Sequence, residues 1–312
     1  MNLHPLKVAY AKASRRRQYA QLRWGGYRRG RVLAGRCGFF GNMFMTLNGI
    51  RLCEAASVQP EPYWDGESLF YDDAHGDNAW AYYFQTVPSL TSATAPRTPS
   101  ADKTLPFKPT ADTIFPLYPN MGIRATYAEV IRRFVRLRPD VQADIDALIH
   151  RLFGDRVTVG VHVRQTDTVA GFEARKTFGL DAYCRAIDEY LRRSPDAGIF
   201  AATDSVAAID ALRDRYGSQL VALDCIRSTD NVSIHGHYDG GVPGSPYQKG
   251  LEVVRDAYLL SRVDHLVRVN SRVTAYSLCL NPSLTFTEIG GDDGKMDALP
   301  WLQTNAAPAE PS

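Results

Sequence analysis

One stretch constrains this chain more than any other: VTVGVHVRQTD, from Val157 to Asp167. An apolar, β-branched run of this length predicts a buried strand of a parallel sheet, covered on both faces. Sheets of that kind place ligands at the carboxyl ends of their strands. Here the strand runs out into His162, Arg164 and Asp167. Alternation puts His162 and Arg164 on one side and Val161 and Val163 on the other. Arg164 cannot lose its charge and carries a fork of donors suited to phosphate. A structural salt bridge with Asp167 is the competing reading.

The following sequence keeps an α/β rhythm. Leu180 to Arg193 predicts a helix that stops at Ser194 and Pro195. Gly198 to Asp204 predicts a second buried strand, Ser205 to Tyr216 a helix, and Leu220 to Leu223 a short strand. Tyr247 to Arg262 predicts another helix, His265 to Val269 a strand, and Ser283 to Ile289 the last strand. Strand and helix in alternation read as a doubly wound α/β domain. At the second strand's end, Asp204 either contacts a ribose or base or caps the next helix. After the strand at 265–269, Asn270 and Ser271 cap a helix whose free amides meet phosphate, and Arg272 adds a cation. His235, His237 and Asp239 invite a metal reading, but the Gly-rich surroundings favour a loop near an acceptor.

Towards the N-terminus, Gly35, Gly38 and Gly41 predict a tight strand-to-helix turn, with the helix running from Met43 to Ala56. Residues 5–23 read as a helix with a broken apolar stripe. Pro60 to Phe84 is rich in aromatic and acidic residues and reads as loop with short extended pieces, either a sugar platform or packing between domains. Thr86 to Pro119, dominated by Pro, Thr, Ser and Ala, predicts little regular structure. Two helices, Tyr127 to Arg138 and Val141 to Leu152, precede the central strand.

The charge is uneven. Residues 1–53 hold eleven Lys or Arg and no Asp or Glu, against 25 basic and 34 acidic residues in the remainder. A basic segment beside an acidic body lies against anionic lipid, feeds a phosphate-rich site, or is a solvated tail. No pattern of zinc finger, RNP strand or recognition helix accompanies it, so nucleic acid is not an expected partner. Neither a signal-peptide pattern nor an apolar run of membrane-spanning length is present. Five scattered cysteines, without metal-ligand spacing, point to a reducing, cytoplasmic setting, with the inner membrane surface as a peripheral location.

HVRQTD, together with the later block RDAYLLSRVDHLV, resembles the donor-binding motifs of the α-1,6-fucosyltransferases. The resemblance covers about residues 155–285 well and the Gly-rich turn loosely. It implies a GT-B-like α/β enzyme: two facing Rossmann-like domains, with the nucleotide-sugar site mainly in the C-terminal one. The expected layout is a basic segment at 1–31, an N-terminal α/β domain at 32–153 with an irregular excursion at about 86–119, a GDP-sugar domain at 154–290, and a tail at 291–312. By resemblance His162 approaches the guanine nucleoside, Arg164 grips the β-phosphate, Asp256 contacts guanine, and Ser271 contacts the diphosphate. Asp256 has a plain alternative, pairing with Arg255 or Lys249 on the helix surface. Gly41 and Asn42 would face the sugar-nucleotide cleft, Asn42 otherwise being a helix N-cap. Gln165 stands where the family usually has a second arginine.

The implied reaction is direct displacement at the anomeric carbon of GDP-fucose, with inversion. Arg164 stabilises the leaving diphosphate, and Glu173, placed much like a family glutamate, removes the proton of the acceptor hydroxyl. The acceptor is an oligosaccharide or lipid-linked glycan. No cofactor or metal is expected, because the sole Asp-x-Asp, Asp144 to Asp146, falls inside a predicted helix. Alternatives are a transferase for another GDP-sugar, and a non-catalytic nucleotide-diphosphate-binding module at a membrane surface.

Overall fold

The computed structural model describes residues 4–90, 103–109, 121–165, 178–230, 232–236 and 241–289. These form two compact units that part between Arg138 and Pro139.

The first unit begins with helix α1 (His4–Trp24), followed by strand β1 (Arg29–Leu33), helix α2 (Phe39–Ala55) and strand β2 (Gln59–Tyr63). Strand β3 (Thr104–Phe107) and helix α3 (Met121–Phe134) complete it. The sheet is parallel with β1 central, in the order β2-β1-β3. The short extended pieces expected from Pro60 onward take in β2, whereas β3 is unexpected; prolines mark both, Pro60, Pro62 and Pro106. A proline cannot donate to a ladder, but an edge strand tolerates it, and both strands are edges. The segment read as irregular from 86 to 119 therefore contains a strand, and α3 starts six residues earlier than its apolar spacing suggests.

The basic N-terminal stretch is not a solvated tail. Tyr19 and Leu22 of α1 are buried with Val32, Leu52, Cys53, Val58 and Phe107 in one core cluster. Most aromatic side chains of the stretch from 60 to 84 are also interior. Phe39 meets Trp64, Phe70 and Tyr83 edge-on at 5.1–5.2 Å, and the Trp64 indole donates to Thr46 Oγ1 at 2.9 Å. Trp64, Phe70, Trp80, Tyr82, Tyr83 and Phe84 are all buried, so they offer no sugar platform.

The second unit opens with helix α4 (Pro139–Leu152) and strand β4 (Thr158–Val163). Helix α5 (Leu180–Arg193), strand β5 (Gly198–Thr203), helix α6 (Val206–Tyr216) and strand β6 (Leu220–Val221) follow. Helix α7 (Pro246–Leu260), strand β7 (His265–Arg268), helix α8 (Arg272–Leu280) and strand β8 (Thr285–Glu288) close it. All neighbours are parallel, in the order β6-β5-β4-β7-β8. Every residue of β4 and β5 is buried, as continuous apolar runs in the middle of such a sheet require. Val159, Val161 and Val163 pack with Tyr183 and Ile187 of α5 and Ile209 and Leu212 of α6. On the other face Gly160 lies against Leu260 and Val263, where an added Cβ would meet Val263 at 2.9 Å. Each unit is thus a parallel sheet flanked by helices, a GT-B-like pair of lobes.

Candidate functional site in the second unit

Strand order in the larger sheet runs outward in both directions from β4 and β7. That reversal is a topological switch point, where the connections leave to opposite faces and a crevice opens at the carboxyl ends. His162 and Arg268 are register partners at this place, and Glu288 continues the row onto β8. His162 is 8% exposed. Burial, then Arg164 and Arg268, lowers its pKa to about 3, so the ring is neutral. Its Nδ1 is buried without a hydrogen-bond partner among the described residues.

Arg268 is fully buried. Its Nε donates to Val269 O at 3.3 Å and lies 3.5 Å from Glu288 Oε2, and its guanidinium stands over the Phe286 ring at 5.5 Å. Sequence reasoning passes over Arg268 and Glu288. The signal was present, since an arginine inside the apolar run HLVRV must be paired if the strand is buried.

Arg164 follows β4 directly and is half-buried. Next to it, the Gln165 amide donates to Asp204 Oδ1 at 3.2 Å, which ties the ends of β4 and β5 together. Asp204 does not cap α6. Ser205 does, accepting from Ala208 N at 3.3 Å, and Asp204 is left for the strand ends. Tyr183 reaches the same place from α5. Its phenol pKa is pushed up to about 12 by burial, with the Arg164 main chain opposing and Asp204 adding.

Asp256 approaches from α7. It does not pair on the helix surface as the plain alternative supposed: Arg255 Nε donates to Asp144 Oδ2 at 2.6 Å, and Lys249 donates to Val242 O. Burial raises the Asp256 carboxyl to about 7, with Arg227 opposing, Glu252 and Asp204 adding, and Arg255 opposing last. Glu252 is itself buried and accepts from Ile226 N at 3.0 Å, pinning the segment that carries Cys225 and Arg227. Nothing in the sequence pattern could find Arg227 or Tyr183, whose relation to Asp256 and Arg164 is made by the fold alone.

At the end of β7, Ser271 is buried and caps α8, accepting from Val273 N at 3.2 Å. The hydroxyl accepts in this cap and keeps its own proton to donate, and Arg272 is the first residue of α8. Asn270 Oδ1 is buried without a hydrogen-bond partner among the described residues.

Gly41 and Asn42 belong to the first unit. They lie inside α2, not in the turn before it, and Gly38 is the N-cap. Asn42 is therefore no cap. Wholly buried, its Oδ1 accepts from Gly35 N at 2.8 Å and from Cys37 Sγ at 3.2 Å, which fastens the Gly-rich turn to the helix. Asp167, Glu173, His237 and Asp239 fall outside the described residues. Among the described residues no group of three or more His, Cys, Asp or Glu side chains is placed to hold a metal ion, and no helix is long and apolar enough to cross a membrane.

Residues 126–277 match the family model for the alpha-(1,6)-fucosyltransferase N- and catalytic domains. Among solved structures, NodZ α-1,6-fucosyltransferase soaked with GDP-fucose is similar at 18% identity and a TM-score of 0.55, over 81% of this chain and 92% of that one. Fucosyltransferase NodZ from Bradyrhizobium gives 18% and 0.53, over 80% and 92%. POFUT1 in its apo form gives 11% and 0.50, over 84% and 98%. No curated protein matches the sequence. At these identities the structures speak for the fold, and the family model for the catalytic region.

Proposed function

We propose that this chain, an α-1,6-fucosyltransferase-like glycosyltransferase of GT-B-like fold, transfers fucose from GDP-fucose to a hydroxyl of an oligosaccharide or lipid-linked glycan, with inversion and without a metal. The observation that carries the reading is the gathering of a neutral histidine, a half-buried arginine and two carboxylates around the carboxyl ends of β4 and β5. Asp256 suits the paired N–H donors of guanine. His162, neutral and with an unmet ring nitrogen, suits a nucleoside. Arg164, Arg272 and the α8 amides suit the diphosphate, and Asp204 the ribose.

In the reaction the acceptor oxygen attacks C1 of the fucosyl group from the face opposite GDP. The C1–O bond to the β-phosphate breaks, its electron pair leaves on the diphosphate, and the acceptor proton passes to a carboxylate. Arg164 stabilises the charge growing on the β-phosphate. Glu173 is the proposed base; Glu173→Gln then abolishes transfer while GDP affinity stays nearly intact.

Calorimetric titration with GDP-fucose, GDP-mannose, GDP, UDP and ADP, with and without chelator, tests the donor. Guanine-selective binding that survives chelation and favours the fucose donor is the expected result. Equal affinity for UDP would end the reading, and a preference for GDP-mannose would redirect it to another GDP-sugar.

A further inference from the structure

The first unit carries a surface that the transfer reaction does not use. Helix α1 turns Tyr19 and Leu22 into the core; on its other side Tyr10, Ala13 and Arg17 are exposed, as is Trp24, whose ring meets Tyr19 edge-on at 6.1 Å. Two of the largest exposed apolar side chains among the described residues stand there, Tyr10 at 65% and Trp24 at 62% exposure. They are fourteen residues apart, about 21 Å along the helix and roughly 40° apart around it. Arg17 falls on the line between them, and Ala13 and Ala20 lie beside it. Arg16 is exposed on the flank, and Arg28 and Arg29 are exposed just beyond the helix end. No acidic residue occurs anywhere in α1, nor in residues 1–53 as a whole.

We propose that the outer face of α1 is a docking surface for an anionic lipid bilayer. Tyr10 and Trp24 at the two ends of this face, small residues beside the line, Arg17 on it and Arg16 on the flank are the groups it offers to a lipid interface. Tyr10 and Trp24 enter the headgroup layer, the location such amphipathic rings favour. Arg16, Arg17, Arg28 and Arg29 meet the lipid phosphates. Arg15, by contrast, points inward, where burial first, then Arg51, lowers its pKa to about 10, so the lipid-facing cations are those of the outer face. A single-stranded RNA would match the charge, and a second copy of the chain would match the aromatics; an anionic bilayer matches both. The surface lies in the first unit, so the inference stands or falls separately from the donor site in the second.

The test follows Trp24 fluorescence and co-sedimentation of the full chain with vesicles of phosphatidylcholine, alone or with about one third phosphatidylglycerol. A blue shift and sedimentation with the anionic vesicles only, reversed at high salt, is the expected result. Trp24→Phe should abolish the shift. The double change Arg16→Gln and Arg17→Gln should lower the bound fraction about tenfold, while GDP binding, unchanged in both, reports that the fold is intact. Binding that is absent, equal on neutral vesicles, or unaffected by these substitutions overturns the proposal. So does concentration-dependent self-association of the chain that the Trp24 change removes, or tighter capture of a polyuridine than of vesicles.

Discussion

Asp256 makes the sharpest claim at the scale of a single residue. Its carboxyl is raised to about 7, whereas guanine is held by the ionised form. GDP affinity should therefore be constant above pH 7 and fall towards tenfold per pH unit below it. Titrations from pH 5.5 to 8.5 check this, and Asp256→Asn should bind weakly with a flat profile. A sloping profile in that variant would place the titration elsewhere. The same shift has a sign for stability. A group whose folded pKa lies above its ordinary value loses its favourable contribution as pH rises through the folded pKa. Asp256→Asn should accordingly raise the melting temperature at pH 8 but not at pH 4. Arg268 behaves differently, since its charge is permanent. Arg268→Met strands the Glu288 carboxylate and should cost about 3–5 kcal/mol in urea unfolding, most of it recovered when Glu288→Gln is added. Of these residues, His162 and Arg164 stand out in the sequence because the motif coincides with a strand end, and Asp256, in α7, only through the block RDAYLLSRVDHLV. Arg268 was visible only as an anomaly in an apolar strand, and Tyr183 and Arg227 not at all, because their neighbours come from distant elements.

At the scale of elements, the sequence pattern reads best where burial follows the element's own period, continuous along β4 and β5 and one-sided along α5, α6 and α7. The runs at β4 and β5 and the helices α5, α6 and α7 fall within a residue or two of their expected places. It reads worst where an element's partner excuses its chemistry, as with the proline-bearing edge strand β3. The turn into α2 is a further case. Three glycines suggested a loop through Gly41, yet Gly41 is helical and the feature that fixes the turn is Asn42. Gly49 has a different purpose: an added Cβ would sit 2.5 Å from Val32 Cγ1. Val32 is fully buried and β-branched, so it cannot swing aside. Gly49→Ala should thus destabilise by about 1–3 kcal/mol despite alanine's better helix propensity. Gly66→Ala, where nothing lies within 4 Å, is the control and should be near neutral. Equal midpoints for the two in urea would mean that α2 does not press on β1 through this glycine.

For the whole molecule, the division at Arg138 and Pro139 separates two kinds of work. The second unit owns a complete five-stranded parallel sheet, its own apolar core and every described residue proposed to hold the donor except Gly41 and Asn42. Those two are engaged inside α2, where Asn42 fastens a turn. Donor recognition should consequently survive isolation. Residues 139–294 expressed alone should fold cooperatively and bind GDP within about tenfold of the full chain, but transfer nothing. Asn42→Ala in the full chain should cost about 1–3 kcal/mol of stability, as the buried Gly35 amide loses its acceptor, with GDP affinity unchanged. Circular dichroism and calorimetry on both proteins decide the matter. A folded fragment that fails to bind GDP, or a well-folded Asn42→Ala protein with weakened GDP binding, would mean that the first unit takes part in holding the nucleotide. The switch point between β4 and β7 would then be only part of the donor site, and the loose match of the Gly-rich turn would acquire the role in the sugar-nucleotide cleft that its resemblance implies.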